Sequence, residues 1–277
     1  MTIPFIKMHG LGNDFVIVDV RDTAFRFTPE QIRRIADRRR GIGCDQFILV
    51  EYPKRNTAAL NMGIYNADGS VAGSCGNATR CVADWEMGRR KRKDLLIETV
   101  QDLLKAEKKN GIIQVEMGAP RFEWHEVPLV SEKDTLNLDV GVGGLPPAVA
   151  VSMGNPHAVF FVEDVSRIDV AGLGAKIETL PLFPERANVE FAQVLDDKNI
   201  RMRVWERGAG ITLACGSGAC ATLAAAVKRD LTGRKVTLHL DGGELQVEWP
   251  ENKPIRMSGP VAYSFTGEIS DALLDNS

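Results

Sequence analysis

Short apolar runs broken by glycine- and asparagine-rich turns set the pattern of this chain. Gln46-Phe47-Ile48-Leu49-Val50 is one amide followed by an unbroken apolar run, as expected of a strand buried on both faces. Phe5 to Lys7 and Phe15 to Asp19 read as short strands around the turn Met8-His9-Gly10-Leu11-Gly12-Asn13-Asp14. Ala59 to Tyr65 is another strand, ending at Asn66. Leu95–Thr99, Leu103–Glu107 and Ile112–Glu116 follow, with Lys109-Asn110-Gly111 as a hairpin turn. Strands recur at Ala148–Ser152, Ala158–Val162, Asn188–Leu195 and Ile200–Trp205, then at Val236–Leu240, Glu244–Trp249, Ile255–Ser258 and Val261–Phe265. Helices are expected from Thr28 or Pro29 to about Arg39, at Thr79–Met87, at Val170–Glu178 and at Ala221–Val227. The last has small apolar residues on every side and reads as buried.

The pattern repeats. At an offset of 140, Leu60 falls on Ile200, Met62 on Met202, Tyr65 on Trp205, Asn66 on Glu206 and Cys75 on Cys215. At an offset of 142, Gly12-Asn13 meets Gly154-Asn155 and Gln46 meets Asn188. A repeat this long implies two similar domains rather than a solenoid. The expected division is residues 1–117, 118–263 and a tail of 264–277 that returns to the first domain. The fold class expected is mixed α/β (α+β), with each domain a curled, mainly antiparallel sheet wrapped around a central helix and the active site in a cleft.

Composition narrows the function. The chain has 277 residues, 44% hydrophobic and 26% charged, which is ordinary for a soluble globular protein. A net charge of −3 gives no footprint for nucleic acid or an anionic membrane. No signal peptide and no apolar run of membrane-spanning length is visible. Five cysteines, at 44, 75, 81, 215 and 220, suit a reducing compartment better than a disulfide framework. A cytoplasmic location follows as the expectation.

Two of these cysteines sit where chemistry is favoured. Cys75 follows a Gly/Ser-rich turn and Cys215 the loop Glu206-Arg207-Gly208-Ala209-Gly210, and each precedes a helix, where unpaired amides and the helix dipole favour a thiolate and hold a carboxylate. Metal binding does not fit, because the partners Cys81 and Cys220 stand six and five positions on, outside the spacing of structural zinc sites. A redox dithiol lacks Cys-x-x-Cys. Acid–base catalysis remains: one thiolate removes a proton from carbon and the other thiol returns one on the opposite face, with no cofactor and no metal. His157 differs from anything in the first copy and sits beside Asn155, which marks it as an active-site candidate.

Several segments together resemble the diaminopimelate epimerase family. They are Met8-His9-Gly10-Leu11-Gly12-Asn13-Asp14-Phe15, Gly41-Ile42-Gly43-Cys44-Asp45-Gln46, Asn66-Ala67-Asp68-Gly69-Ser70, Cys75-Gly76-Asn77, Gly154-Asn155-Pro156-His157, Glu206-Arg207-Gly208 and Ala214-Cys215-Gly216-Ser217-Gly218. Ala78 stands where the family usually has glycine, and Ser217 where threonine is common. The resemblance implies interconversion of LL- and meso-diaminopimelate, without pyridoxal phosphate or metal, on the route to lysine and peptidoglycan precursors, by a homodimer. It implies that Cys75 and Cys215 are the bases, and that the amides of Gly76, Asn77, Gly216 and Ser217 bind the carboxylate at the reacting carbon. Asn13 and Gln46 then lie near that carbon. Asn66, Asn155, Asn188 and Arg207 hold the distal end of the substrate, and His157 and Glu206 tune the thiols. The alternatives are a proline or hydroxyproline racemase of the same two-thiol type, whose first motif normally has histidine where Asn77 stands, and a non-catalytic amino-acid binding protein.

Overall fold

The structure is a computed structural model and describes residues 2–73, 75–100, 102–142 and 144–274. In chain order its elements begin β1 (Ile3–Gly10), β2 (Asn13–Asp19), α1 (Pro29–Ala36), β3 (Gln46–Glu51), β4 (Leu60–Asn66) and α2 (Gly76–Arg90). Then come β5 (Asp94–Glu98), β6 (Leu103–Lys109), β7 (Ile112–Glu116), β8 (Val149–Ser152), β9 (Pro156–Phe161), α3 (Val170–Glu178), β10 (Asn188–Asp196) and β11 (Asn199–Glu206). The last are β12 (Gly210–Ile211), α4 (Gly216–Lys228), β13 (Lys235–Leu240), β14 (Gly243–Glu248), β15 (Arg256–Gly259), β16 (Ala262–Ile269) and α5 (Asp271–Leu274). The architecture is sheet-dominated α+β. No helix among the described residues is long and apolar enough to cross a membrane.

The chain divides into two compact units, one of residues up to Val115 together with those from Pro260 onward, the other Glu116–Gly259. In the first, strands run in the order β16-β1-β2-β3-β4-β5-β6-β7. β2 and β3 are parallel, as are β4 and β5, and the other pairs are antiparallel. Helix α2 touches β1, β2, β5 and β6, so the sheet bends around it. A second apolar cluster under α1 gathers Val16, Val18, Ile32, Ile35, Phe47 and Leu49.

The second unit repeats the plan in the order β15-β14-β13-β11-β10-β9-β8. Here β9/β10 and β11/β13 are the parallel pairs. Helix α4 touches β8, β9, β10, β13, β14 and β15. Residues Ala219 to Ala226 of α4 are all buried, which explains an all-apolar helix inside a curled sheet.

Local chemistry sets the element ends. Thr28 caps α1 with a capping box to Gln31, and Pro29 takes the first turn. The helix stops at Ala36 rather than near Arg39. The Asp37 carboxylate accepts the amides of Arg39 and Arg40 at 2.7 and 2.9 Å, an alternative to continued helix. Helices α2 and α4 start three and five residues earlier than the apolar pattern indicated, because each is capped by its cysteine. β1 and β16 are longer than expected, since they pair along nearly their whole length, with Phe265 edge-on to Phe5. Leu11 and Gly12 take positive φ of 58° and 84° in the tight turn joining β1 to β2, and Asn110 and Gly111 do the same between β6 and β7.

Candidate active site

In the first unit, Cys75 is the N-cap of α2. Its sulfur accepts the Ala78 amide at 3.5 Å, and its thiol approaches Asn13 Oδ1 at 3.8 Å. Asn13 opens β2, and its side chain is held from two sides. Its amide donates to Asp45 at 2.9 Å, while its oxygen accepts from Asn77 Nδ2 at 3.1 Å. Asn77 accepts in turn from the guanidinium of Arg80 at 2.9 Å, and Arg80 is wholly buried. Asp45 and Asp14 share Arg38, and Asp14 also pairs with Lys7 at 2.5 Å. Against the burial that raises it, hydrogen bonds from Arg38 and Lys7 bring the Asp14 carboxyl down to about 2. A fixed set of charges therefore holds Asn13 beside the thiol.

Gln46 and Asn66 face each other across β3 and β4, with Gln46 Nε2 donating to Asn66 Oδ1 at 3.1 Å. Asn66 Nδ2 continues to Ser70 at 3.0 Å. Gln46 Oε1 is buried and accepts no hydrogen bond among the described residues. A buried amide oxygen of this kind is a position for an incoming donor.

In the second unit, Cys215 is the N-cap of α4, 4% exposed, and accepts the Gly218 amide at 3.3 Å. Ser217 Oγ lies 3.6 Å from the sulfur. Glu206 ends β11, takes hydrogen bonds from Thr212 and from the Cys215 thiol, and is pushed up to about 7 by its burial. Burial, with Glu206 and Glu190 close by, pushes the Cys215 thiol well above the usual thiol range. The cause is electrostatic and direct: a thiolate there faces two carboxyls and little water.

His157 lies on β9, wholly buried. Its Nδ1 is 2.7 Å from Glu190 Oε1, and its Nε2 is 3.0 Å from Asn155 Oδ1. Asn188 sits opposite His157 in the β9/β10 register. Its amide donates to the Pro156 carbonyl and its oxygen accepts the Arg207 amide, both at 3.0 Å. Asn188 thus ties the Arg207 loop to β9. The Arg207 guanidinium is exposed and donates to the Glu185 carbonyl at 3.0 Å. Glu178 holds the same loop, accepting from Trp205 Nε1 at 2.7 Å and from the Gly208 amide at 2.9 Å.

Sequence reasoning missed four of these residues. Arg80 and Glu178 look like helix-surface charges until burial is known. Gly218 passes as one glycine among several. Glu190 carried a usable signal, because the 142-residue offset sets it against Ile48, a charge where the first copy has a core residue.

The fold of two such units is shared with solved structures of an epimerase and a probable proline racemase. The hydroxyproline epimerase of Agrobacterium vitis, solved with bound trans-4-hydroxy-L-proline, matches over 97% of this chain and 92% of its own, with TM-score 0.72 and 15% identity. That likeness is one of fold. The family model of diaminopimelate epimerase matches residues 5–123 and 149–264. The diaminopimelate epimerase of Rhodospirillum centenum is 52% identical over 99% of this chain and 94% of its own. That of Acidiphilium cryptum is 49% identical over 98% of both. The chain belongs to the diaminopimelate epimerase family and is an isomerase.

Proposed function

We propose that this protein interconverts LL- and meso-diaminopimelate with two thiols, those of Cys75 and Cys215, one taking the α-proton from carbon and the other giving carbon a proton. No pyridoxal phosphate and no metal take part. The observation that carries the proposal is the double helix cap: each unit uses a cysteine to begin its buried helix, and each sulfur accepts the amide three residues on. One sulfur removes the proton as thiolate, and the other, as thiol, delivers a proton to the opposite face. The first amides of each helix, at Gly76, Asn77, Gly216 and Ser217, receive the α-carboxylate. Negative charge gathers on that carboxylate as the proton leaves, so fixed donors stabilise the transition state more than the ground state. Asn13 and Gln46 flank the reacting carbon, the latter with its unfilled acceptor. Asn66, Asn155, Asn188 and Arg207 serve the distal amino-acid end, Arg207 as the bidentate partner of its carboxylate. Glu206 and His157 set the protonation of the thiols. The working form is a cytoplasmic homodimer supplying lysine and peptidoglycan precursors.

The test is incubation of the pure protein with LL-diaminopimelate and no added cofactor, followed by resolution of the stereoisomers. The meso form should accumulate to equilibrium. Cys75→Ala and Cys215→Ala should each abolish inversion, because inversion needs removal on one face and delivery on the other. Near-normal epimerisation by either single variant would show that these cysteines are not the acid–base pair.

A further inference from the structure

Glu190 lies in the middle of β10, wholly buried, in a stretch otherwise apolar: Val189, Phe191 and Ala192 are buried with it. One carboxylate oxygen meets His157 Nδ1 at 2.7 Å. The other, Oε2, is buried and accepts no hydrogen bond among the described residues. An interior strand does not keep a half-satisfied carboxylate without cost, since an unmade hydrogen bond to a buried charge is among the more destabilising features a core can hold.

The repeat shows that the fold does not need it. At the 142-residue offset, Glu190 corresponds to Ile48 and His157 to Phe15, and all four side chains are fully buried. The first unit fills this place with an isoleucine and a phenylalanine. The second fills it with a carboxylate and an imidazole.

Helix α4 is cut to fit. A Cβ on Gly218 would lie 2.7 Å from Glu190 Oε1 and 3.2 Å from Cys215 Sγ. Gly218 has an ordinary negative φ, so it is glycine for space rather than for backbone freedom. Its missing side chain brings the carboxylate and the thiol to the same point. At the 140-residue offset the first unit has Ala78, where no carboxylate needs the room.

We infer that Glu190 is a positioning residue of the second half-site: it fixes the His157 ring through Nδ1 and, across the gap left by Gly218, holds Cys215 as the thiol partner of the pair. This deepens the two-thiol function proposed above and rests on it. The ring is held at both ends, Nδ1 against Glu190 Oε1 and Nε2 against Asn155 Oδ1. The groups facing Cys215 are Glu206 from β11, Glu190 from β10, and Ser217 with the Gly218 amide from α4, while His157 from β9 acts on Glu206. Carboxyls outnumber cations in this set, and each ionised carboxyl disfavours a thiolate beside it.

The experiment is a pH series of alkylation of the full chain with iodoacetamide, read by peptide mass spectrometry at Cys215 and Cys75 together. Glu190→Gln keeps the shape and removes the charge. Its Cys215 labelling profile should move to lower pH by about one unit, which is about tenfold faster labelling at a fixed pH on the rising limb. The Cys75 profile should stay where it is in the unsubstituted protein. A Cys215 profile that does not move in Glu190→Gln would overturn the inference. If that variant does not fold, Glu190→Asp decides. Its shorter arm draws the charge away from His157 and Cys215, so the Cys215 profile should shift in the same direction by less, and an unmoved profile would again overturn it. Labelling needs no turnover, so its outcome is independent of whether Cys215→Ala still epimerises.

Discussion

Helices α2 and α4 begin alike and sit in opposite electrostatic surroundings. Each is capped by a cysteine whose sulfur takes the third amide of the helix. At the first turns of α2 the buried charge is a cation, Arg80, which reaches the thiol through Asn77 and Asn13, while the buried carboxylate of this helix, Glu86, sits near its other end. The counterpart of Arg80 in α4 is Cys220. Around α4 the charged groups nearest the cap are carboxyls, the part-buried Glu206 and the wholly buried Glu190, whose counterparts in the first unit are Asn66 and Ile48. The two units carry similar thiol-bearing helices with different charged side chains at a few positions behind them. Under the two-thiol mechanism proposed above, one group accepts a proton while the other already holds one, and unequal surroundings would bias which thiol does which.

Five substitutions break or sharpen this contrast, taken from the largest effect to the smallest. Arg80→Met removes the buried cation of the first half-site and frees Asn77 from one partner. The cost should be about 3 kcal/mol or more of stability, as for other disrupted buried networks, measured by urea unfolding. A loss under about 0.5 kcal/mol would mean that Arg80 does not organise the Asn77–Asn13 pair.

Glu206→Gln tests the opposite charge. A carboxyl raised to about 7 in the folded chain binds its proton more tightly than in the unfolded chain. Its contribution is therefore present below the unfolded value and lost as pH rises through about 7. Between pH 5 and 8 the unsubstituted protein should lose about 2–3 kcal/mol relative to Glu206→Gln. Parallel stability–pH curves for the two proteins would remove Glu206 as the titrating group. Asn66, its counterpart, has no charge to lose.

Arg207 has Ala67 as its counterpart, so only the second unit offers a guanidinium at this place. Arg207→Ala should lower kcat/KM for diaminopimelate by about 10–100-fold, the value of a charged hydrogen bond. Its exposure leaves stability within about 0.5 kcal/mol. A kcat/KM within twofold would refute the distal-carboxylate role.

The smallest effect is also the most local. Gly218→Ala places a methyl group against Glu190 and should cost about 1–2 kcal/mol with a shifted Cys215 profile. Ala78→Gly, the same exchange reversed at the matching position, should cost under about 1 kcal/mol and leave Cys215 unmoved. Equal costs at the two positions would erase the contrast that Glu190 creates.

Much of this was written in the sequence. The strands of Gln46–Val50 and Ile200–Trp205 and the helix Val170–Glu178 were legible because strand and helix periods are local properties of the side chains. So was the pairing of Cys75 with Cys215, since a repeat survives as matched spacing even after most residues have changed. The helix starts were not, because a cysteine serving as N-cap contributes through its sulfur and a nearby amide, which no apolar pattern records. Burial of charge lay further out of reach. Glu190, Glu178 and Arg80 are ordinary charged residues in a one-dimensional string. They become consequential only once β10 pairs with β9 and the helices are enclosed, because the energy of a charge depends on the water and partners left to it. The sequence by itself marked most of the elements, though not their ends, and singled out the two cysteines as a matched pair. The tertiary structure decided which charges stand behind each thiol, and that is a property of packing.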